Sequence, residues 1–164
     1  MESLLLIATQ VAQLLKDRKE TIAVAESSSG GLIAASLLAV PGASAYFLAG
    51  AVVYTRPARR QLMGLSDADC KGCRSASEPY ALLLARTSVQ RYDATWGLSE
   101  TGASGPTGNP YGDAAGHSCI AVYGGGAKQI ERAITIETGS ADRVANMRAF
   151  SLAALQLLQQ VLAQ

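Results

Sequence analysis

Residues 21–40 read T-I-A-V-A-E-S-S-S-G-G-L-I-A-A-S-L-L-A-V. Residues 21–25 are short and mostly apolar, as a buried strand is; Glu26, three serines and two glycines then break the pattern, and residues 32–40 resume it at helical length. Strand, tight turn and helix in that order predict an α/β fold. Upstream, Leu4, Ile7, Val11, Leu14 and Leu15 recur at helical spacing, so residues 3–17 are expected to form an amphipathic helix. Downstream, Pro41-Gly42 stops the helix, and G-A-V-V-Y-T at 50–55 has the β-branched and aromatic content of a buried strand. A short helix at 57–63 follows, with Pro57 in its first turn. Ser77-Glu78-Pro79 then opens a helix running to about residue 92, with Ser77 as its N-cap.

Residues 94–99 read as the next strand, and residues 101–116 are rich enough in Gly and Pro to predict a loop. A loop that long inside a compact domain is usually functional or disordered. Residues 117–123 and 129–137 flank Gly124-Gly125-Gly126 as a hairpin. Ser140 is then expected to cap a last helix that buries Val144, Met147, Leu155, Leu158, Val161 and Leu162. Strands and helices alternate and the last strands return antiparallel, so the expected architecture is a three-layer α/β/α sandwich with a mixed sheet.

The chain has 164 residues, the size of one domain spanning 1–164. With 49% hydrophobic and 16% charged residues it can bury enough surface to offset the entropy of ordering. Fourteen basic and thirteen acidic residues leave a net charge of +1 with no dense basic patch, which argues against nucleic acid as a partner. No apolar run, the one at residues 4–8 included, comes near the roughly 20 residues needed to cross a membrane. Glu2 before that run is unlike a signal peptide, and an odd cysteine count of three suits a reducing compartment, so a cytoplasmic location is expected.

The turn at Glu26–Gly31 places hydroxyls and glycines at a helix N-terminus, where unpaired N–H groups and the helix dipole favour an anion such as phosphate. Ordinary helix capping is the competing reading. Cys70, Cys73, His117 and Cys119 make a C-x-x-C and an H-x-C, a thinkable zinc set, although cysteine is often only a small buried apolar residue. A thioredoxin-type role is weaker, because this C-x-x-C follows an acidic loop and not a strand. Arg143, in the first turn of the last helix, is within reach of a phosphate for a bidentate contact, with an ordinary solvent-exposed arginine as the competing reading.

Taken in order, E-S-S-S-G-G at 26–31, P-G-A-S-A-Y-F at 41–47, V-V-Y-T at 52–55, T-G-A-S-G-P at 101–106 and A-D-R at 141–143 resemble the C-terminal domain of the competence/damage-inducible protein CinA. That resemblance implies a three-layer α/β/α fold and homo-oligomeric assembly. It also implies an amidohydrolase converting nicotinamide mononucleotide to nicotinate mononucleotide and ammonia. By resemblance Ser44 matches the nucleophilic serine, Ser27 the first serine of the turn, and Tyr54, Thr101 and Arg143 positions around the active site. Ser29, Gly30, Gly31, Arg59 and Gly102 join Arg143 as expected substrate contacts. No metal or organic cofactor is required, and the partner is a small phosphorylated molecule.

One position departs from the family pattern. Where the amidases carry a lysine shortly after the strand tyrosine, this chain has Arg59. A buried lysine can be tuned to take a proton, whereas arginine, with a pKa above about 12, cannot. His117, the single histidine, is the obvious substitute base. Two readings follow: an amidohydrolase, or an impaired relative that binds a small phosphorylated ligand.

Overall fold

The computed structural model describes residues 2–126 and 129–164. Helix α1 (Glu2–Arg18) is followed by β1 (Ile22–Glu26), α2 (Leu32–Leu38), a 3-10 turn (Ala43–Ala45) and β2 (Phe47–Val52). Next come the short α3 (Arg56–Ala58), a π-helical turn (Arg59–Met63), α4 (Glu78–Tyr92), β3 (Trp96–Ala103), β4 (His117–Gly124), β5 (Ile130–Glu137) and α5 (Arg143–Leu162). The strands form one sheet in the order β2-β1-β3-β4-β5. β1 runs parallel to β2 and β3, while β3–β4 and β4–β5 are antiparallel, so the sheet is mixed as expected.

Alternation along the strands explains the layers. Ile22, Val24, Trp96, Leu98, Ile120 and Val122 all face α1, α2 and α5 and form the main core with Leu4, Val11, Leu15, Leu155 and Leu158. The intervening residues face α4 and are small: Ala25 and Ala51 join one cluster with Tyr80 and Leu84, and Cys119 and Ala121 another with Ala81 and Ala85. At Gly97 a Cβ would overlap the Ala85 carbonyl, so α4 lies on β3 closer than any side chain allows.

Four expectations are corrected. The second strand is Phe47–Val52, not 50–55, and it is the sheet edge with alternate residues exposed, because pairing with β1 selects its residues. β3 continues to Ala103, so the loop begins at Ser104. The last helix is capped by Asp142, whose carboxylate accepts from the Ala145 N–H at 3.0 Å; the Ser140 hydroxyl instead accepts from the Asp142 N–H. Val144 is exposed, and Asn146 and Phe150 take the buried stripe's first turns. Of the expected hairpin turn, Ala127 and Lys128 lie outside the described residues.

Candidate functional site

β1 connects through α2 to β2 on one side, and the chain then returns through α4 to β3 on the other side of β1. The helices of the two connections lie on opposite faces, so a crevice opens beyond the carboxyl ends of β1 and β3, where α/β folds place ligands. A cleft of about 250 Å³ is found there, lined by Ser27, Tyr54, Arg56, Arg59, Tyr80, Thr101, Asn109 and Tyr111 among others. A second cavity of about 240 Å³ shares Tyr54, Gly102 and Asn109 with it and adds Ser28 and Arg143.

The turn after β1 is held by two carboxylates that solvent does not reach, Glu26 and Glu100. Glu26 accepts from the Ser29 hydroxyl at 2.6 Å and from the Ile33 and Ala34 N–H groups at 3.1 and 2.9 Å. Burial pushes its pKa up, the Ser29 hydroxyl and the two N–H groups oppose that rise, and the nearby Glu100 adds to it. Glu100, on β3, accepts from the Ser27 and Ser29 N–H groups at 3.1 and 2.8 Å, from Ser118 Oγ at 2.9 Å and from Ser28 Oγ. The acceptor at the start of α2 is therefore the protein's own Glu26 carboxyl. This corrects the expected phosphate cradle: Ser29 is fully buried on Glu26, the Gly30 N–H bonds the Ser27 carbonyl, and neither they nor Gly31 line the cleft.

Ser27, half-buried, does line the cleft. Thr101 lines it too; its Oγ1 accepts from the Ala76 N–H at 3.1 Å, which leaves its own proton to donate. Tyr54 is 60% exposed, and its hydroxyl accepts from Arg143 at 3.3 Å, while Arg143 also donates to the Gly105 carbonyl at 2.6 Å. Ser44 is elsewhere. It sits in the 3-10 turn before β2, at the end where the parallel strands begin: the next residue but one, Tyr46, accepts from the Ile22 N–H through its carbonyl. Within one chain Ser44 does not share a cleft with Ser27, Tyr54 and Thr101, so the expected grouping is corrected.

Arg59 is only 5% exposed and fixed in place. It donates from Nε to the Leu65 carbonyl at 3.3 Å and pairs with Asp67. Burial works against its charge, and hydrogen bonds to Tyr80 and Asp67 more than compensate, so its pKa rises and it remains a cation. His117 does not supply the missing base. Its Nε2 must donate to the Ala76 carbonyl at 3.0 Å, and its Nδ1 faces the Glu137 carboxylate. Burial alone would lower its pKa, but those two acceptors and Asp113 raise it, which favours the imidazolium. Nor do the cysteines and His117 make a metal centre: among the described residues no three His, Cys, Asp or Glu side chains group as ligands. Cys119 stands beside His117, whereas Cys70 and Cys73 pack on the separate cluster around Tyr80.

Sequence reasoning missed Glu100, Arg56 and Tyr80. Only Glu100 carried a signal, as the one charged residue of β3.

Residues 5–162 match the CinA C-terminal domain family. The chain belongs to that family. It is 37% identical to a CinA-like protein of Chlorobium limicola over 150 residues, 89% of this chain and 34% of the relative. It is 38% identical to a CinA-like protein of Chlorobaculum tepidum over 149 residues, 89% of this chain and 35% of the relative. The chain thus spans about a third of the length of these curated relatives. Among solved structures, the competence/damage-inducible protein CihA of Agrobacterium tumefaciens superposes with a TM-score of 0.88 at 25% identity, covering 99% of this chain and 96% of that one. That likeness supports the α/β fold. Among the described residues no helix is long and apolar enough to cross a membrane.

Proposed function

We propose that this CinA-family chain binds a small phosphorylated ligand of the mononucleotide class in the cleft and turns over its amide poorly or not at all. One observation carries this reading: the described residues lining the two cavities include Arg56, Arg59 and Arg143, three tyrosines and several hydroxyls, but no Asp, Glu, His or Lys. Arginines pair with phosphate through charged, bidentate hydrogen bonds. Amide hydrolysis needs in addition a group that takes the proton from the attacking hydroxyl. Where the family resemblance expects lysine, Arg59 remains protonated.

The amidohydrolase reading keeps one support, the Ser27 hydroxyl at the cleft, with Thr101 as a donor toward an oxyanion. Titration calorimetry with nicotinamide mononucleotide, paired with an ammonia assay, separates the two. Binding without ammonia release is expected; ammonia release abolished by Ser27→Ala and unaffected by Ser44→Ala overturns the binding reading. Arg59→Lys is expected to raise ammonia release by at least about a hundredfold, the lower range of what a positioned base contributes.

We propose also that the chain pairs with a second copy of itself along β2, the apolar edge of the sheet.

A further inference from the structure

Cys70 and Cys73 serve neither the cleft chemistry nor a metal. They lie in the segment between the π-helical turn and α4, where the Cys73 N–H donates to the Cys70 carbonyl at 3.0 Å. That is a four-residue turn with the cysteines at its two ends, which keeps their Cα atoms within about 7 Å. Gly72, at the third position, has φ +87°, the left-handed value that a type II turn requires there. Disulfides span Cα separations of about 4.4–6.8 Å, so the backbone already holds the pair at bridging range. Both side chains pack against the same apolar cluster, with Leu65 and Tyr80, and both remain partly open to solvent. Cys119, the third cysteine, is buried on the far side of α4, beside His117.

We propose that Cys70 and Cys73 are an oxidisable dithiol, a site at which a small-molecule disulfide of the glutathione class closes an intramolecular disulfide across Lys71-Gly72. One cysteine thiolate attacks a sulfur of the incoming disulfide, forming a mixed disulfide and releasing one glutathione thiolate. The second cysteine thiolate then attacks the bonded cysteine sulfur and expels the other glutathione. The two cysteines lose two electrons and two protons, and the small disulfide is reduced to two thiols. Burial pushes the Cys70 thiol up, against the pull of the Arg59 guanidinium, so the exchange accelerates as pH rises. No helix begins at Cys70, so this is not a thioredoxin-type catalytic pair.

The bridge would stiffen a segment that the cleft uses on both sides. Asp67 before it pairs with Arg59, and Arg74 after it pairs with Asp113 and leads into Ser75 and Ala76, which line the cleft. The proposal stands on the turn and not on the identity of the ligand.

The test incubates the reduced full chain with oxidised glutathione, counts thiols, and maps disulfides by peptide mass spectrometry. The expected result is loss of two of the three thiols, a mass lower by two hydrogens, a Cys70–Cys73 linked peptide and an unmodified Cys119. Cys73→Ser is expected to stop at a glutathione adduct on Cys70 that dithiothreitol removes. Full retention of three thiols overturns the proposal, and so does a wild-type chain that keeps glutathione adducts without closing the bridge. Neither result bears on mononucleotide binding, which is read separately.

Discussion

Glu100→Ala removes one acceptor from four donors at once: the Ser27 and Ser29 N–H groups and the Ser28 and Ser118 hydroxyls. Glu100 has no solvent exposure, so water cannot replace it without entering the core. Leaving two or more buried donors unpaired is expected to cost at least about 3 kcal/mol, read as a lower urea midpoint at unchanged slope. Glu100→Gln keeps one oxygen and is expected to lose less; equal stability of Glu100→Ala and wild type would show that the carboxylate does not hold the turn. A sequence does not display this role, because the acid and its partners on the turn are 71 to 73 positions apart. Ser44 illustrates the opposite case. Its motif resembles the family's, yet local resemblance says nothing about which end of the parallel strands a turn occupies, and β1–β2 pairing puts it at the far end from the cleft. Ser27, Thr101 and Tyr54 were picked out by their motifs, and they share the cleft because Ser27 directly follows β1, Thr101 lies near the carboxyl end of β3 and Tyr54 stands two residues past β2.

Among the elements, α1, β1, α2 and α4 were legible in kind from local features. The i, i+3, i+4 stripe marks α1, the serine–glycine turn divides β1 from α2, and Ser77 caps α4 by accepting from the Tyr80 N–H, as a β-region N-cap does. β2 was misplaced by three residues because nothing local distinguishes F-L-A-G-A-V from G-A-V-V-Y-T; the ladder with β1 decides. His117 ties three further elements together, joining β4 to Glu137 on β5 and to the Ala76 carbonyl before α4. The charged groups facing it are Glu137 and Asp113; Cys119 and the Arg74–Asp113 pair adjoin, and Glu78 reaches Cys119 through Thr135. Since its folded pKa is raised, the stability it contributes is fully present below its unfolded value of about 6.5 and is lost as pH rises through the folded value. Wild type is therefore expected to lose unfolding free energy above about pH 6.5 relative to His117→Asn, measured by urea denaturation up to pH 8.5. The wild-type-minus-variant difference cancels what Glu26 contributes at lower pH. A difference that is flat with pH above 6.5 would show that the fold does not raise the His117 pKa.

At the scale of the whole molecule, one edge of the sheet is left open. β5 at one edge carries Glu131, Arg132 and Glu137, charges that discourage a further strand from pairing. β2 at the other carries none, and no proline either: Phe47–Val52 reads F-L-A-G-A-V. Leu48 and Val52 are 46% and 40% exposed on one face of it, Tyr54 continues the same face, and Leu38 of α2 is exposed as well. An apolar edge without such guards is a template for another strand. A second copy fits it by symmetry, because β2 laid antiparallel on itself about a two-fold axis extends the sheet without new chemistry. Tyr54, a wall of the cleft, would then stand beside the interface, so assembly and ligand binding would share a border. Sedimentation equilibrium at micromolar concentration is expected to return the mass of two chains for wild type and of one chain for Leu48→Lys. In the variant each copy brings a charge to the shared apolar edge. Leu48 is a surface residue, so the unfolding free energy of the separated chain is expected to stay within about 0.5 kcal/mol of an equally exposed control substitution. A wild type that sediments as one chain would remove the β2 pairing, and a Leu48→Lys variant that stays double would move the interface to another face.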